Sequence, residues 1–172
     1  MSKRNSQIIC AGLLRGAKLK IKTVENNGLQ ESVTLTNKGT VAQPMSGWVL
    51  ASLRGQVFYS FPDDLIFEQN MVVVVQSGQN ESKNQNDQCI WINLLWTINQ
   101  VWNNHSDTAI LFDANGLEID RHSYPHVRVM GSSANRRKIL KRNENGFEIF
   151  NEPLRRVKIV TRKQHGAITG QP

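Results

Sequence analysis

The sequence predicts an all-β fold, a two-sheet sandwich of short strands, and three observations carry that prediction. Short runs rich in Val, Ile, Leu, Thr and aromatics recur along the middle of the chain, separated by Gly, Asn, Asp and Pro, which is the rhythm of strands and turns. No stretch sustains the apolar period of an amphipathic helix over about twelve residues. The chain has 172 residues and a hydrophobic content of 39%, enough for one domain of ordinary size with a real core.

Seven strands are expected, over residues 18–24, 31–37, 48–53, 56–61, 71–76, 108–113 and 117–123. In the first, Leu19 and Ile21 alternate with Lys20 and Lys22, the period of two that marks a half-buried strand. The second repeats it, with Val33 and Leu35 between Thr34 and Thr36, and Leu29 and Gln30 as a lead-in. The third and fourth are separated by Arg54-Gly55. In the fifth, MVVVV does not alternate, so that strand should be covered on both faces or have its outer face under a loop. The sixth and seventh flank Ala114-Asn115-Gly116, and an Asn-Gly pair between two strand-like runs is a strong hairpin signal. The groups NNG (26–28), NKGT (37–40) and PDD (62–64) supply further turns. Two segments fall outside this pattern. Residues 92–102, INLLWTINQVW, place Leu95, Ile98 and Trp102 at helical spacing, yet their Asn and β-branched residues disfavour a helix; a short helical turn or an ordered irregular segment is expected. Residues 77–87, SGQNESKNQND, read as a surface loop.

Charge divides the chain into three. Residues 1–23 sum to +6, residues 24–127 to −7 and residues 128–172 to +8, for a net charge of +7. The expected domains are therefore a basic N-terminal segment (1–17), a sandwich (18–127) and a basic C-terminal extension (128–172). Within that extension Asn145-Gly146 is placed to turn KILKR back on FEIF as a hairpin, and RRVKIVTR to add an edge strand. RRVKIVTRKQHG is faintly similar to AKLKIKTVENNG, which suits two basic edge strands. Cys10 and Cys89 have no metal-site spacing and leave only a single bridge open. No run reaches the roughly twenty apolar residues of a spanning helix, and Ile8 to Leu14 is a poor signal-peptide core. The expected location is intracellular and cytoplasmic, or nuclear in a eukaryote, where RRKILKR (136–142) reads as an import signal; export is the alternative left open.

Residues 102–124, WNNHSDTAILFDANGLEIDRHSY, crowd His and carboxylates together and invite a catalytic or metal reading. The hairpin accounts for them more simply. Leu117 and Ile119 would point to the core while Glu118 and Asp120 point to water, and Asn103, Asn104 and Asp107 would bond nearby backbone amides. A calcium loop starting at Asp113 would need Gly and Glu where Glu118 and Tyr124 stand. His122 and His126 are separated by Pro125 and share no helical face. Nucleophile elbow, Walker loop, C-x-x-C and dinucleotide fingerprint are all missing from the sequence. No catalytic residue, cofactor or metal is expected.

The order VTLTNKGT, SGW, FP and WNN-x-x-DTAILFDANG-x-x-x-D, over roughly Lys18 to Tyr124, resembles the lamin tail domain. The resemblance implies an immunoglobulin-like two-sheet β-sandwich with basic N- and C-terminal extensions. Ser46-Gly47-Trp48 would turn into a strand and bury the indole between the sheets, Phe61-Pro62 would close the next strand, and Trp96 and Trp102 would match a pair of tryptophans in lamins. The heptad rod and prenylated end of lamins are not matched here, so filament assembly is not implied. The family carries no common catalytic residues, which implies a binding or scaffold module with a protein partner. The alternative is contact with nucleic acid or an anionic surface through Arg136, Arg137, Lys138, Lys141, Arg142, Arg155, Arg156, Lys158, Arg162 and Lys163. Such clusters bind phosphate with little sequence preference. The sequence leaves the oligomeric state open.

Overall fold

The computed structural model describes residues 11–79, 90–124 and 136–152. Among them are twelve strands and no helix: β1 (Leu19–Asn27), β2 (Gln30–Asn37), β3 (Gln43–Pro44), β4 (Val49–Ser52), β5 (Val57–Ser60), β6 (Ile66–Phe67), β7 (Val72–Gly78), β8 (Trp91–Thr97), β9 (Asp107–Phe112), β10 (Glu118–Tyr124), β11 (Lys138–Asn143) and β12 (Gly146–Asn151). They form two four-stranded sheets, ordered β1-β2-β7-β8 and β10-β9-β4-β5, plus the pairs β3-β6 and β11-β12. The seven expected strands are all present, with ends shifted by up to three residues, the largest shift being at the end of β1.

Period two decides which side chains meet between the sheets. In β2 Glu31, Val33, Leu35 and Asn37 are buried while Ser32, Thr34 and Thr36 face outward. They pack with Val73 and Val75 of β7 and with Leu50, Ala109 and Leu111 of the opposing sheet. Trp48 is fully buried among them, and its Nε1 donates to the Ala11 carbonyl at 2.8 Å. That bond belongs to a strap: Leu14 N–H bonds Gln43 Oε1 at 2.8 Å and Leu13 N–H bonds Asp113 Oδ2 at 3.3 Å, which draws residues 11–14 across one end of the sandwich.

Three expectations need correction. Residues 91–97 form a strand, not a helical turn or irregular segment; β8 lies parallel to β7. The period-two set Ile92, Leu94 and Trp96 packs on the core, whereas Leu95 and Ile98, two of the three residues at helical spacing, are 62% and 74% exposed and only Trp102 is buried. Tertiary pairing with β7, helped by β-branched and aromatic side chains, outweighs the helical spacing. Secondly, Glu118 and Asp120 do not point to water. A bulge lies between them, so that Glu118 faces Phe112 and Asp120 faces Leu111, and the extra residue breaks strict alternation. Thirdly, Leu117 is half exposed and bridges Ile139, outside the main core.

β11 and β12 form the hairpin around Asn145-Gly146 and add a third layer. Leu140, Phe147 and Ile149 cover Val49, Ala51, Ile110 and Phe112 on the outer face of the second sheet. The Leu140 N–H bonds the Gly116 carbonyl at 2.8 Å. Gly116 has φ 76°, and a Cβ there would meet the Leu140 carbonyl oxygen at 2.1 Å, so only glycine fits both the turn and the clamp. Cys10, Cys89, His126, RRVKIVTR and most of the loop at 77–87 lie outside the described residues.

Candidate functional site

Among the described residues the sandwich is closed along one side and open along the other. On the closed side β1 meets β10. Asp120 Oδ2 accepts the Ile21 N–H at 2.8 Å and its Oδ1 pairs with Lys20 Nζ at 2.7 Å. One carboxylate thus joins the edges of the two sheets, and a charge-assisted bond to a backbone amide is among the stronger ones. The bulge beside Asp120 aims it there. Glu118 binds Arg121 and the Lys138 N–H, which ties β10 to the third layer.

On the open side β5 and β8 end the two sheets. They are held by an aromatic series rather than by charge: Phe61 to Tyr59 at 5.2 Å, Tyr59 to Trp96 at 5.7 Å and Trp96 to Trp102 at 5.9 Å between ring centroids. Tilted and edge-on pairs at such distances add to the burial they share, and burial raises the Tyr59 hydroxyl above its ordinary pKa. Between β5, the segment after β8 and the tip of the β11-β12 hairpin runs an open groove of about 840 Å³, lined by Val57, Phe58, Trp96, Val101, Asn145 and Phe147 among others. The floor is fixed by Glu31, whose carboxylate accepts Val101 N–H at 2.6 Å, Trp102 N–H at 3.2 Å and Ser77 Oγ at 2.7 Å. The sequence reading passed over Glu31, although its parity with Val33 and Leu35 already turned it inward.

Polar residues after the groove make turns. Asn103 Oδ1 accepts the N–H groups of His105 and Ser106 at 3.0 and 3.2 Å, and Asp107 accepts from Ser52 Oγ at 2.7 Å and Arg54 N–H at 3.0 Å. Asp113 is buried and closes its own hairpin through Asn115 N–H and Leu117 N–H, both at 2.9 Å. Tyr124 Oη donates to the Asn103 carbonyl at 2.9 Å. Burial, then the Asp107 and Glu31 carboxylates, push its hydroxyl well above the usual tyrosine pKa. Among the described residues no three His, Cys, Asp or Glu side chains are grouped to hold a metal.

Of the residues expected to contact anions, the five described ones lie on or beside the β11-β12 hairpin. Register puts Leu140 opposite Ile149 and Arg142 opposite Phe147 on the face toward the sandwich, while Lys141 lies opposite Glu148 on the other face. Lys141 and Arg142 are exposed and lie 5.0 Å from the Phe150 and Phe147 rings respectively. Lys138 Nζ bonds Asn151 Oδ1, and the Arg136 carbonyl accepts from Arg121 at 2.8 Å. Arg137 is exposed. Residues 136–152 sum to only +2, because Glu144, Glu148 and Glu152 offset five cations. Arg155, Arg156, Lys158, Arg162 and Lys163 fall outside the described residues.

Two facing antiparallel-rich sheets, a buried tryptophan between them and an open, uncharged side define an immunoglobulin-like β-sandwich. The family model described as Lamin Tail Domain matches residues 15–126, more than half of the chain. The chain therefore belongs to the lamin tail domain family, whose members share a non-catalytic immunoglobulin-like module. Among curated proteins no relative matches it. No described helix is long and apolar enough to cross a membrane.

Proposed function

We propose that the chain is a non-enzymatic contact module whose open side docks a protein partner. The observation that carries this is an uncharged strand edge at β8, unpaired among the described residues, with the groove beside it. Exposed strand edges with apolar side chains recruit partners by strand addition, and the groove offers Phe58, Trp96 and Phe147, aromatic types enriched at interface cores. Family membership supports a scaffold role and leaves the partner open. Polyanion contact through the basic C-terminal extension is the second reading, supported by the exposed Lys141 and Arg142 and by a net +6 carried in residues 128–135 and 153–172 together.

The test is crosslinking mass spectrometry on the full chain captured with its binding proteins, beside Leu95→Lys and a chain ending at Glu152. Crosslinks on β8 and the groove that vanish with Leu95→Lys are expected. Capture that instead depends on residues 153–172 and collapses with added salt would favour the polyanion reading. Truncation at residue 127 is unsuitable, because it strips the hairpin from Val49, Ala51, Ile110 and Phe112.

A further inference from the structure

We propose that the free edge of β8 pairs antiparallel with the same edge of a second copy of this chain, about a two-fold axis at Asn93. The proposal rests on the contact-module reading and names the occupant of that edge. Backbone direction sets the register. Val72 N–H bonds the Ile90 carbonyl, and β8 runs parallel to β7 with Val72 opposite Trp91. Along such a strand alternate residues turn both backbone groups to the same side, so Ile92 and Leu94 serve β7 while Trp91, Asn93 and Leu95 present N–H and C=O to the open edge. Among the described residues no strand takes up those groups.

A two-fold at Asn93 matches every one of them. Asn93 faces Asn93 of the second copy, Trp91 faces Leu95 of the second copy and Leu95 faces its Trp91, each a pair that exchanges both backbone bonds. On the outer surface amide meets amide and indole meets leucine; on the core side Ile92 lies beside Leu94. Pairs of these types stabilise neighbouring strands. An isologous interface requires this kind of self-complementarity.

Charge points the same way. Residues 90–104 contain no Asp, Glu, Lys, Arg or His, in a chain of net charge +7. Two copies repel where cations crowd, and here they meet without like charges. A strand that stays solitary is ordinarily blunted by charge, Pro or a bulge. Both edges of this sheet carry a register irregularity, between Ile21 and Thr23 in β1 and after Leu95 in β8; the difference is charge, since β1 has Lys20 and Lys22, whereas β8 exposes Leu95 and is followed by the exposed Ile98. The pairing joins two four-stranded sheets into one of eight.

The experiment is sedimentation velocity of the full chain, of Asn93→Lys, of Asn93→Asp, and of the two variants mixed in equal amounts. The wild type is expected as a dimer and each variant as a monomer, since each sets like charges face to face at the axis. The mixture should regain the dimer, because Lys then meets Asp. Asn93 is exposed and its backbone groups make no bond to β7, and unchanged circular dichroism confirms folding of each variant. A wild type that stays monomeric at its highest soluble concentration, a dimer that survives both variants, or a mixture that stays monomeric overturns the proposal. The first of these assigns the edge to a foreign strand or to the chain's own termini. It leaves the contact-module reading intact, because that reading is judged by crosslinks to a partner.

Discussion

The two sides of this sandwich solve the same geometric problem in opposite ways. Where β1 meets β10, a bulge and a carboxylate stitch the sheets together, and the edge is lined with Lys20, Lys22 and Arg121. Where β5 meets β8, rings lean on one another and the edge carries no charge over residues 90–104. The difference teaches that immunoglobulin-like closure does not require symmetric edges. Ion pairing and backbone bonding make one side self-contained; aromatic packing holds the other, where no described strand takes up the outer backbone groups of β8.

The largest expected effect tests what both sides rest upon. Trp48→Ala removes a fully buried indole and should destabilise by about 3–5 kcal/mol, read by chemical denaturation; a small shift would mean the sheets are not joined through that side chain. Next is the closed side. Asp120→Ala leaves the Ile21 amide without its partner and should lose about 1–3 kcal/mol, with amide hydrogen exchange rising in β1 and not in β8. Equal exchange in both would erase the distinction between the sides.

Tyr124→Phe removes the bond to the Asn103 carbonyl and should lose about 1 kcal/mol near neutral pH. Its pH dependence has a definite sign. The folded-state pKa lies above the unfolded value of 10.0, so the wild-type contribution is fully present below pH 10.0 and is lost as pH rises through the folded value, because the unfolded chain gives up the proton first. Stability of the wild type should therefore fall in alkali, and the phenylalanine variant should fall less. The smallest effect is on the open side. Leu95→Lys alters an exposed side chain and should change stability by no more than about 0.5 kcal/mol, while abolishing partner crosslinks. A large loss of stability would show that the edge serves the fold rather than contact.

Much of the fold was legible because burial follows parity. Val33 and Leu35 pointed inward as read, MVVVV is covered on both faces as read, and Asn115-Gly116 and Asn145-Gly146 turn hairpins. What failed did so for nameable reasons. In residues 92–102 two periods coexist, and the spacing of Leu95, Ile98 and Trp102 hid the alternation of Ile92, Leu94 and Trp96, although Leu95 and Ile98 are left outside. The bulge at Ile119 is a single extra residue with no local marker, yet it swings Asp120 from solvent to the opposite sheet. The third layer was half visible: Asn145-Gly146 announced the hairpin, but nothing local says that Leu140 and Phe147 would land on Val49 and Phe112. The open side was hardest to read, since a free edge is a property of sheet order, which no short stretch encodes. Charge along the chain does not show which face a cation takes, since Lys141 and Arg142, neighbours in sequence, lie on opposite faces of one hairpin.

The Asp120 stitch also bears on how the molecule comes into being. It joins residues 99 and 100 positions apart in the chain, whereas β1 and β2 are joined by a short turn at Gly28. The β1-β2 hairpin is available early in synthesis, and its partner across the sandwich arrives only after most of the domain has left the ribosome. Folding dominated by such distant pairings is slow, on the order of milliseconds to seconds. Until Asp120 docks, both sides of the sandwich are unsealed instead of one. The cations of β1 then have a second use, keeping their side from adhering to other chains while it waits to be sealed.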